Sequence, residues 1–321
     1  MPVPLAPLTT LRVGGPAATL WECTSAAALV EAVSDCPSAF VLGGGSNVVL
    51  PDAGLPEVVL VRSRGIAGLT VEAGEDWDGF VAWSLGEGYV GLEALSGIPG
   101  TVGAAPIQNI GAYGAEIAGS ISSVRVWDSG SASVVDLSAA ECAFSYRQSL
   151  FKGAHRWVVL SVTFDLVRGS VSAPVRYAEL AALLGIAVGQ AAPAGEVRSA
   201  VLELRGRKGM VLSATDPDSV SVGSFFTNPL VPVAPAGAPS WPDGSGRVKV
   251  SAAWLIEQSG FAKGWGDGPA GLSSKHTLAL VNRGGATAAQ VLAVARQIRA
   301  GVLDRFGIEL VPEPVIVGDV L

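Results

Sequence analysis

A run of three glycines between two apolar segments is the first stretch of the chain whose residue types could bind a ligand. Residues 40–42 read FVL, residues 43–47 read GGGSN, and residues 48–50 read VVL. This pattern predicts a buried strand, a tight turn and another strand. Successive glycines let backbone N–H groups point into one concavity, which suits a phosphate, and Ser46 and Asn47 add side-chain donors. A plain tight turn explains the glycines by themselves about as well.

The spacing of the glycines excludes two widespread nucleotide-binding motifs. Val48 stands where G-x-G-x-x-G needs its third glycine, and G-x-x-x-x-G-K-[ST] occurs nowhere in the chain. Residues 91–119, GLEALSGIPGTVGAAPIQNIGAYGAEIAG, form a second glycine-rich stretch whose only charges are two glutamates. Long ordered loops of this kind are usually functional, and so bare a backbone could lie flat against an aromatic ligand. A flexible linker is the alternative, which Ile98 and Tyr113 disfavour.

Three later segments carry polar side chains that could act on a substrate. They read SYRQS (residues 145–149), GSFFTNP (residues 223–229) and PEP (residues 312–314). Taken singly, Ser224 could be a turn hydroxyl, Glu313 could end a solvated strand, and Arg147 could stack on its neighbour. The chain has two histidines, far apart, and three scattered cysteines. We therefore expect neither a metal site nor a histidine-based triad.

The composition indicates a core-rich globular protein of two or three domains. Of 321 residues, 49% are hydrophobic and 15% are charged, and the net charge is −7. Without a basic run, this charge argues against nucleic acid and anionic membranes as partners. Glycine, proline or a charge interrupts every apolar stretch before it reaches the length of a membrane span, and residues 1–12 lack the pattern of a secretory signal. The scattered cysteines fit reduced thiols, so we expect a cytoplasmic protein.

Local patterns predict a β-α-β unit at the start of the chain, a meander of strands in the middle, and a second β-α-β-α-β domain from residue 209. Ser25 is the predicted N-cap of the first helix, and the long helix that begins at Thr287 opens with a capping box. The predicted helices are 25–36, 77–85, 178–185, 196–207, 251–259 and 287–306. Residues 232–246 are interpreted as a surface loop and residues 308–311 as the last strand.

The motifs, taken in this order, resemble one enzyme family over nearly the whole chain, from Thr9 to Gly318. Each motif alone is modest, whereas the ordered set is highly specific. Together, residues 43–47, the GIPGTVGAAPIQNIGAYGAE segment and the three later motifs are similar to UDP-N-acetylenolpyruvoylglucosamine reductases, the flavoenzymes of peptidoglycan precursor synthesis. One departure is visible: the family often has an arginine two positions after the late glutamate, where this chain has Val315.

This resemblance implies an α+β fold with a vanillyl-alcohol-oxidase-type FAD-binding domain and a smaller α/β substrate-binding domain. The implied limits are residues 1–208 for the FAD-binding region, divided at about residue 62, residues 209–314 for the substrate-binding domain, and residues 315–321 for a tail that returns to the FAD region. We expect a monomer that acts on small molecules, without metal, nucleic acid or membrane as a partner.

The resemblance also implies roles for individual residues. Ser224 would donate a proton to the substrate, while Arg147 and Glu313 would polarise the substrate carboxylate. The residues that would bind the substrate together with Arg147 are Tyr146, Tyr177, Lys208, Asn228 and Lys275. The residues that would hold FAD, without a covalent bond, are Arg12, Gly43, Gly44, Gly45, Ser46, Asn47, Ile98, Pro99, Gly100, Gly103, Ala104, Asn109, Gly111, Ala112, Tyr113, Gly114 and Ile117. Tyr177 would mark the tyrosine-loop subtype of the family.

The implied reaction reduces the enol ether of UDP-N-acetylglucosamine enolpyruvate to UDP-N-acetylmuramate, with NADPH as co-substrate and hydride transfer through flavin N5. The charge that develops on the substrate carboxylate suits Arg147, whereas Glu313 helps only in its protonated form. The hydroxyl of Ser224 is a weak acid, but it is adequate because the intermediate is a strong carbon base. Two alternatives stay open: a flavin oxidase of the same fold, and a non-catalytic nucleotide-sugar-binding protein.

Overall fold

The computed structural model describes residues 1–318 and Leu321. The chain forms two compact units. The N-terminal unit contains residue 1 and residues 17–45 and 56–207, and the C-terminal unit contains residues 2–16, 46–55 and 208–321. The chain therefore passes from one unit to the other inside the glycine-rich turn, between Gly45 and Ser46. The predicted limits of the FAD-binding and substrate-binding regions concern function, and they stay predictions.

The helices and strands of the described residues are numbered in chain order. The α-helices are α1 (Ala26–Asp35), α2 (Trp77–Gly86), α3 (Ala178–Leu183), α4 (Ala194–Arg207), α5 (Ala252–Gln258) and α6 (Ala288–Phe306). Single 3-10 turns cover Ala6–Leu8, Glu93–Leu95, Val102–Ala104, Ile117–Ser120 and Pro217–Ser219. The strands are β1 (Val3–Pro4), β2 (Pro16–Cys23), β3 (Phe40–Leu42), β4 (Val48–Val49), β5 (Leu55–Val61), β6 (Ile66–Ala67), β7 (Thr70–Glu72), β8 (Tyr89–Val90), β9 (Gly111–Ala112), β10 (Ala115–Glu116), β11 (Ile121–Asp128), β12 (Ser133–Ser138), β13 (Trp157–Phe164), β14 (Val167–Arg168), β15 (Ser221–Ser224), β16 (Leu230–Val231), β17 (Ser240–Pro242), β18 (Val248–Val250), β19 (Ala270–Leu272), β20 (Ala279–Asn282) and β21 (Val315–Ile316). Within residues 1–318 and 321, no helix is both long enough and apolar enough to cross a membrane.

The main sheet of the N-terminal unit has five antiparallel strands in the order β12-β11-β13-β7-β6. β13 is buried along nearly its whole length, because both of its faces are covered. On one of them, α2 packs Trp77 and Phe80 against Phe164, with the Phe80 and Phe164 ring centroids 4.7 Å apart. A second sheet contains the parallel pair of β3 and β5, and the glycine-rich turn leaves from the end of β3.

An ion pair on the main sheet makes the stability of the N-terminal unit depend on pH. Arg156 donates from Nε and Nη2 to the two carboxylate oxygens of Asp128, at 2.6 and 2.7 Å, and the Asp128 side chain is only 5% exposed. These hydrogen bonds hold the pKa of Asp128 well below its usual range. Because the folded-state pKa is lowered, the pair stabilises the fold above about pH 4, and this contribution is lost as the pH falls through the folded-state pKa.

We expect Asp128→Asn to lower the thermal midpoint of unfolding at neutral pH and to flatten its decline between about pH 4 and about pH 2. The matched control is Asp136→Asn, since Arg125 pairs with Asp136 at 2.8 Å on the same sheet while both side chains are more than half exposed. Exposed pairs contribute little to stability. Thermal unfolding followed by circular dichroism across this pH range measures both effects. Equal shifts in the two variants would contradict the role of the Asp128 pair.

The core of the C-terminal unit lies between α6, α5 and the antiparallel sheet β15-β20-β19. The inward face of α6 carries buried residues at intervals of three or four positions, which keeps them on one side of the helix: Val291, Ala295, Ile298 and Val302. Two smaller elements complete the unit, the sheet β16-β18-β17 and the parallel pair of β4 and β21.

The N-terminus of α6 is capped by two segments. The predicted capping box is confirmed, since Thr287 Oγ1 accepts from the N–H of Gln290 at 3.2 Å and the Gln290 side chain accepts from the N–H of Thr287. The carboxylate of Asp52 accepts hydrogen bonds from the N–H groups of the two residues before Gln290, Ala288 at 2.7 Å and Ala289 at 2.9 Å. The segment that follows β4 is thereby fixed to the long helix, a contact that no local sequence pattern indicates.

The predicted helices are all present, within a few residues of their predicted limits, and the Ser25 N-cap is confirmed by its hydrogen bond from Ala28 N–H at 3.1 Å. Two interpretations were wrong. Residues 232–246 are not wholly a loop, because β17 lies within them and pairs with β18. Residues 308–311 are not a strand; the last strand is β21, whose partner β4 lies far earlier in the chain. Local pattern cannot reveal a partner that remote, and pairing decides which extended segment becomes a strand.

Candidate active site

The glycine-rich turn approaches a second turn of the N-terminal unit at backbone contact distance. A Cβ on Gly44 would lie 2.6 Å from Cα of Gly100 and 3.2 Å from the backbone nitrogen of Thr101. A Cβ on Gly43 would lie 3.0 Å from Oγ1 of Thr101. Glycine is required at position 44 because the neighbouring backbone leaves no room for a side chain. This close approach brings together the two glycine-rich stretches that the sequence marked separately.

The turn also presents main-chain donors that the protein itself does not use. Within residues 1–318 and 321, the N–H groups of Gly44, Gly45 and Ser46 make no hydrogen bond to a protein atom. Gly45 is buried and its φ of 62° lies in the left-handed region. Consecutive N–H groups in such a turn form a nest that binds an anion, and buried polar groups normally have a partner. This donor set fits the diphosphate of FAD.

Asn109 is a fully buried hub of the N-terminal unit. Its Nδ2 donates to Oε2 of Glu116 at 2.8 Å and to the carbonyl of Ser145 at 3.0 Å, and its Oδ1 accepts from the N–H of Ala118 at 3.1 Å. These bonds tie the second glycine-rich stretch to the SYRQS segment. Both side-chain donors are used within the protein, so any contact of Asn109 with FAD would not come from them. No local sequence pattern marks Glu116 as the partner of Asn109.

Arg147 lies against the carbonyl groups of the same glycine-rich stretch. Its Nη2 donates to the carbonyl of Gly111 at 2.8 Å and its Nη1 to that of Asn109 at 3.4 Å, and its guanidinium lies 5.5 Å from the ring centroid of Tyr146. The backbone of Arg147 has a φ of 54°, and Lys152 Nζ donates to its carbonyl at 3.0 Å. Non-glycine residues hold this conformation only where their surroundings enforce it, often at functional positions.

We expect Asn109→Ala to destabilise the N-terminal unit by about 1–3 kcal/mol, because it leaves the partly buried Ala118 N–H without its acceptor and removes the bonds to Glu116 and the Ser145 carbonyl. It should also lower turnover more than this loss of stability explains, since the SYRQS segment that carries Arg147 loses its anchor. Thermal unfolding and steady-state turnover of the folded variant, compared with wild type, measure the two effects. An unchanged midpoint and unchanged turnover would contradict the role of this hub.

Two tyrosines meet beside the second glycine-rich stretch. The rings of Tyr113 and Tyr177 are arranged edge to face with centroids 5.3 Å apart, and Tyr177, directly before α3, is 43% exposed. Burial raises the pKa of Tyr113 to about 12, so its phenol stays protonated at neutral pH. Arg205 of α4 is 8% exposed. Burial lowers the pKa of its guanidinium, and the nearby Tyr113 and Asp78 partly offset this decrease. Its position near the end of a helix gave no sign that it would be buried.

In the C-terminal unit, the residues around Ser224 and Glu313 lie side by side. Ser224 ends β15, where a bulge at Gly223, with a φ of 73°, interrupts the pairing with β20. The next residue, Phe225, accepts a hydrogen bond from the N–H of Glu313 at 2.8 Å, and Phe226 forms an antiparallel bridge with residue 312. The structure thereby places the backbone segments that carry Ser224 and Glu313, far apart in the sequence, next to each other. Both residues are partly exposed, as groups that meet a substrate must be.

The cations and amides predicted to bind the substrate are also in the C-terminal unit. Asn228 Oδ1 accepts from Ala252 N–H at 2.9 Å at the start of α5, so only its NH2 group is left to donate to a ligand. Lys275 Nζ lies 2.8 Å from Oδ2 of Asp216, an acidic partner that lies far from it in the sequence. Lys208 is partly exposed and is the first residue of the last segment of this unit. An amide N–H and two ammonium groups suit phosphate oxygens.

Arg12 is exposed, and its backbone is held in the left-handed region, with a φ of 55°. The side chain of Asn282 donates to the carbonyls of Leu11 at 3.0 Å and Arg12 at 3.2 Å, and its Oδ1 accepts from the N–H groups of Gly284 and Ala286. This buried amide fixes the segment that carries Arg12, and sequence reasoning missed it because nothing local sets Asn282 apart from other strand-end residues.

The remaining residues predicted to hold FAD lie on the second glycine-rich stretch in the N-terminal unit. Gly103 packs against Ala73, where an added Cβ would lie 2.5 Å from that of Ala73. Ile117 is fully buried in the main core. These two residues therefore serve the packing of the loop. The partly or fully exposed members of the set are Ile98, Pro99, Ala104, Ala112 and Gly114.

Comparisons with known proteins agree with this arrangement. A family model described as FAD binding domain matches residues 17–138, and one described as the C-terminal domain of UDP-N-acetylenolpyruvoylglucosamine reductase matches residues 216–317. Relatives named UDP-N-acetylenolpyruvoylglucosamine reductase include one from Thermobifida fusca, 49% identical over 98% of this chain and 97% of its own, and one from Mycolicibacterium gilvum, 52% identical over 98% and 95%.

A solved structure gives the same result for the fold. The crystal structure of UDP-N-acetylenolpyruvylglucosamine reductase from Thermus caldophilus aligns with a TM-score of 0.71 and 28% identity, covering 98% of each chain. The implied α+β fold, with an FAD-binding domain followed by a reductase C-terminal domain, is confirmed. From the identity and coverage of these relatives, the chain belongs to the UDP-N-acetylenolpyruvoylglucosamine reductase family.

Proposed function

We propose that this protein uses NADPH to reduce the enolpyruvyl group of UDP-N-acetylglucosamine enolpyruvate, forming UDP-N-acetylmuramate. The observation that carries the proposal is the placement of Ser224 and Glu313 on neighbouring segments, joined by the hydrogen bond from Glu313 N–H to the Phe225 carbonyl at 2.8 Å. Paired segments that each carry one such group can supply a proton and an acidic hydrogen-bond donor to one reacting group. The names of the relatives at about half identity over nearly the whole chain support the same substrate.

FAD, when bound, would accept one hydride, which contains both electrons, from NADPH and pass it to the substrate. The residues that would hold it are the donors of the glycine-rich turn, since Gly44, Gly45 and Ser46 would bind its diphosphate through main-chain N–H groups. The second glycine-rich stretch, which lies against Gly44 through Gly100, borders the rest of the cofactor. Its only charged side chains are two glutamates, and so bare a backbone suits a neutral aromatic ring.

Arg147 stabilises the negative charge that develops on the substrate carboxylate. Its guanidinium is already oriented by the carbonyls of Gly111 and Asn109, and its backbone is fixed in a rare conformation. A charge that needs no reorganisation during the reaction stabilises a transition state better than a mobile one. Tyr146 and Tyr177 contribute to the same substrate contact, and Tyr177 makes the chain a member of the tyrosine-loop subtype.

Ser224 protonates the substrate carbon that becomes negative during reduction, and water then restores the hydroxyl proton. Glu313 in its protonated form donates a hydrogen bond to the substrate carboxylate, which disperses the same charge. Lys208, Lys275 and the NH2 group of Asn228 bind the diphosphate of the substrate or of NADPH. The chain works as a monomer in the cytoplasm, a compartment where thiols such as its three free cysteines stay reduced.

An anaerobic absorbance titration tests this function. The purified protein loaded with FAD is bleached with NADPH, and UDP-N-acetylglucosamine enolpyruvate is then added without oxygen. Rapid return of the oxidised spectrum establishes the reductase and its substrate together. Return of the oxidised spectrum only after air is admitted would identify a flavin oxidase. The absence of any bound flavin would contradict the proposal.

A further inference from the structure

The backbone of Glu313 is held at both its N–H and its C=O. The N–H donates to the carbonyl of Phe225 at 2.8 Å, and the C=O accepts from Nδ2 of Asn47 at 3.3 Å. Prolines at positions 312 and 314 restrict the backbone on either side. The direction in which the Glu313 carboxyl group leaves the chain therefore depends on two partners, one beside Ser224 and one in the glycine-rich turn.

Asn47 contacts this segment at two points. Besides the side-chain bond to Glu313, its carbonyl accepts from the N–H of Val315 at 2.9 Å, where β21 begins its pairing with β4. Asn47 therefore contacts the glutamate and the residue two positions after it. It is also directly bonded to Ser46, whose N–H, with those of Gly44 and Gly45, makes no hydrogen bond within the described chain. One residue thus connects an anion-binding turn to the carboxyl group proposed to act on the substrate.

We propose that Asn47 is a positioning residue for Glu313. When the FAD diphosphate binds to the glycine-rich turn, Asn47 fixes the position of the Glu313 carboxyl group. The catalytic consequence of this coupling rests on the proposed function. The coupling between FAD binding and the position of Glu313 does not. An anion bound to the free N–H groups fixes the backbone of residues 44–46 and, with it, the amide of Asn47. That amide in turn holds the Glu313 carbonyl, so the glutamate is ordered when the cofactor is present.

The strand pairing of this region does not depend on the Asn47 side chain. Asn47→Ala keeps the carbonyl that accepts from Val315, and the pairs of Val48 with Val315 and Val49 with Ile316 involve backbone atoms only. The variant therefore removes the clamp on Glu313 and leaves the strand pair that surrounds it. This separation makes the proposal testable in a folded protein.

Thr227 provides a matched control. Its Oγ1 donates to the carbonyl of Val311 at 3.3 Å, the same length as the bond from Asn47 to Glu313 and on the same segment. The backbone N–H of Thr227 also donates to Val311, so Thr227→Val removes one side-chain bond and keeps the backbone pair. This variant tests whether loosening the segment at Val311, two residues before Glu313, has the same effect as removing the Asn47 side chain.

The first measurement is amide hydrogen exchange of the peptide that spans residues 308–318, with and without FAD. In wild type and in Thr227→Val, FAD should slow exchange of the Glu313 and Val315 amides. In Asn47→Ala, and in the milder Asn47→Ser, exchange of Glu313 should be insensitive to FAD while thermal unfolding shows a folded protein. Protection by FAD that survives in both Asn47 variants would overturn the proposal, whatever the reaction proves to be.

The second measurement separates the half-reactions at saturating FAD. Wild type is first shown to be reoxidised by UDP-N-acetylglucosamine enolpyruvate, which tests the proposed function by itself. In Asn47→Ala, reoxidation by the substrate should fall roughly 10- to 100-fold further than reduction by NADPH does. Equal losses in both half-reactions, or a loss confined to FAD affinity, would assign Asn47 to folding or to cofactor binding and overturn a positioning role.

Discussion

Ser224→Ala is expected to lower reduction of the enolpyruvyl substrate by roughly 10²- to 10⁴-fold, the usual contribution of a positioned general acid. FAD binding and flavin bleaching by NADPH should be unchanged, because Ser224 lies at the end of β15 in the C-terminal unit and is not part of the glycine-rich turn. Reduction of the substrate falls because, without the hydroxyl, the carbon that becomes negative during reduction has no adjacent proton source. Stopped-flow absorbance of each half-reaction measures the two steps separately.

The control for this variant is Ser221→Ala on the same strand. Ser221 is buried, and its Oγ accepts from the N–H of Gly223 at 3.2 Å, so its loss tests whether disturbing the bulge before Ser224 is enough to slow the reaction. We expect Ser221→Ala to keep turnover within a few-fold of wild type at a small cost in stability. Normal turnover in Ser224→Ala would remove Ser224 as the proton donor, and equal losses in both variants would show that the strand, not the hydroxyl, is required.

Gly44→Ala is expected to give a protein that does not retain FAD. The added Cβ would lie 2.6 Å from Cα and 2.9 Å from the carbonyl carbon of Gly100, and neither backbone can move away as a flexible side chain can. Separating them costs about 1–3 kcal/mol of stability and spreads the donors of the turn apart. Gly44→Val should have the same effect more strongly. The FAD content of the purified protein and the thermal midpoint measure the two consequences.

Gly119→Ala is the control for the glycine variant. Gly119 also lies in the N-terminal unit, as the last residue of the second glycine-rich stretch, and a Cβ there would meet no atom within 4 Å. It should retain FAD and unfold at the temperature of wild type. A Gly44→Ala protein that retains a full complement of FAD would show that the turn is not the FAD diphosphate site, even though the N–H groups of the turn have no partner within the described chain.

The functional motifs were recognisable in the sequence because they are short and local. A glycine turn between apolar runs, the SYRQS segment and a glutamate between two prolines each occupy consecutive residues, and their order identified the family before any contact was known. Helix caps were equally accessible, since Ser25 and Thr287 act on N–H groups within three residues of themselves. Interactions of this range leave a signature that can be read along the chain.

The contacts that position those motifs could not be read in the same way. Asn109 was marked as a cofactor residue, yet its amide holds Ser145, and Asn282 was not singled out at all although it fixes the segment of Arg12. Strand β21 was misplaced by several residues because its partner, β4, lies near the other end of the chain. A single asparagine has the same local appearance wherever its amide points, so only the neighbours that the fold supplies reveal its role.

The sequence by itself determined the family, the α+β class, the residues proposed to carry the chemistry and the helices with their caps. Only the tertiary structure decided that Gly44 lies against Gly100, that the N–H of Glu313 is bonded beside Ser224, and that Asn47 holds the carbonyl of the same glutamate. The physical reason is the range of the interactions. Propensity, capping and turn chemistry act between neighbours in the chain, whereas close backbone approach and the satisfaction of buried polar groups depend on segments brought together by the packing of the core.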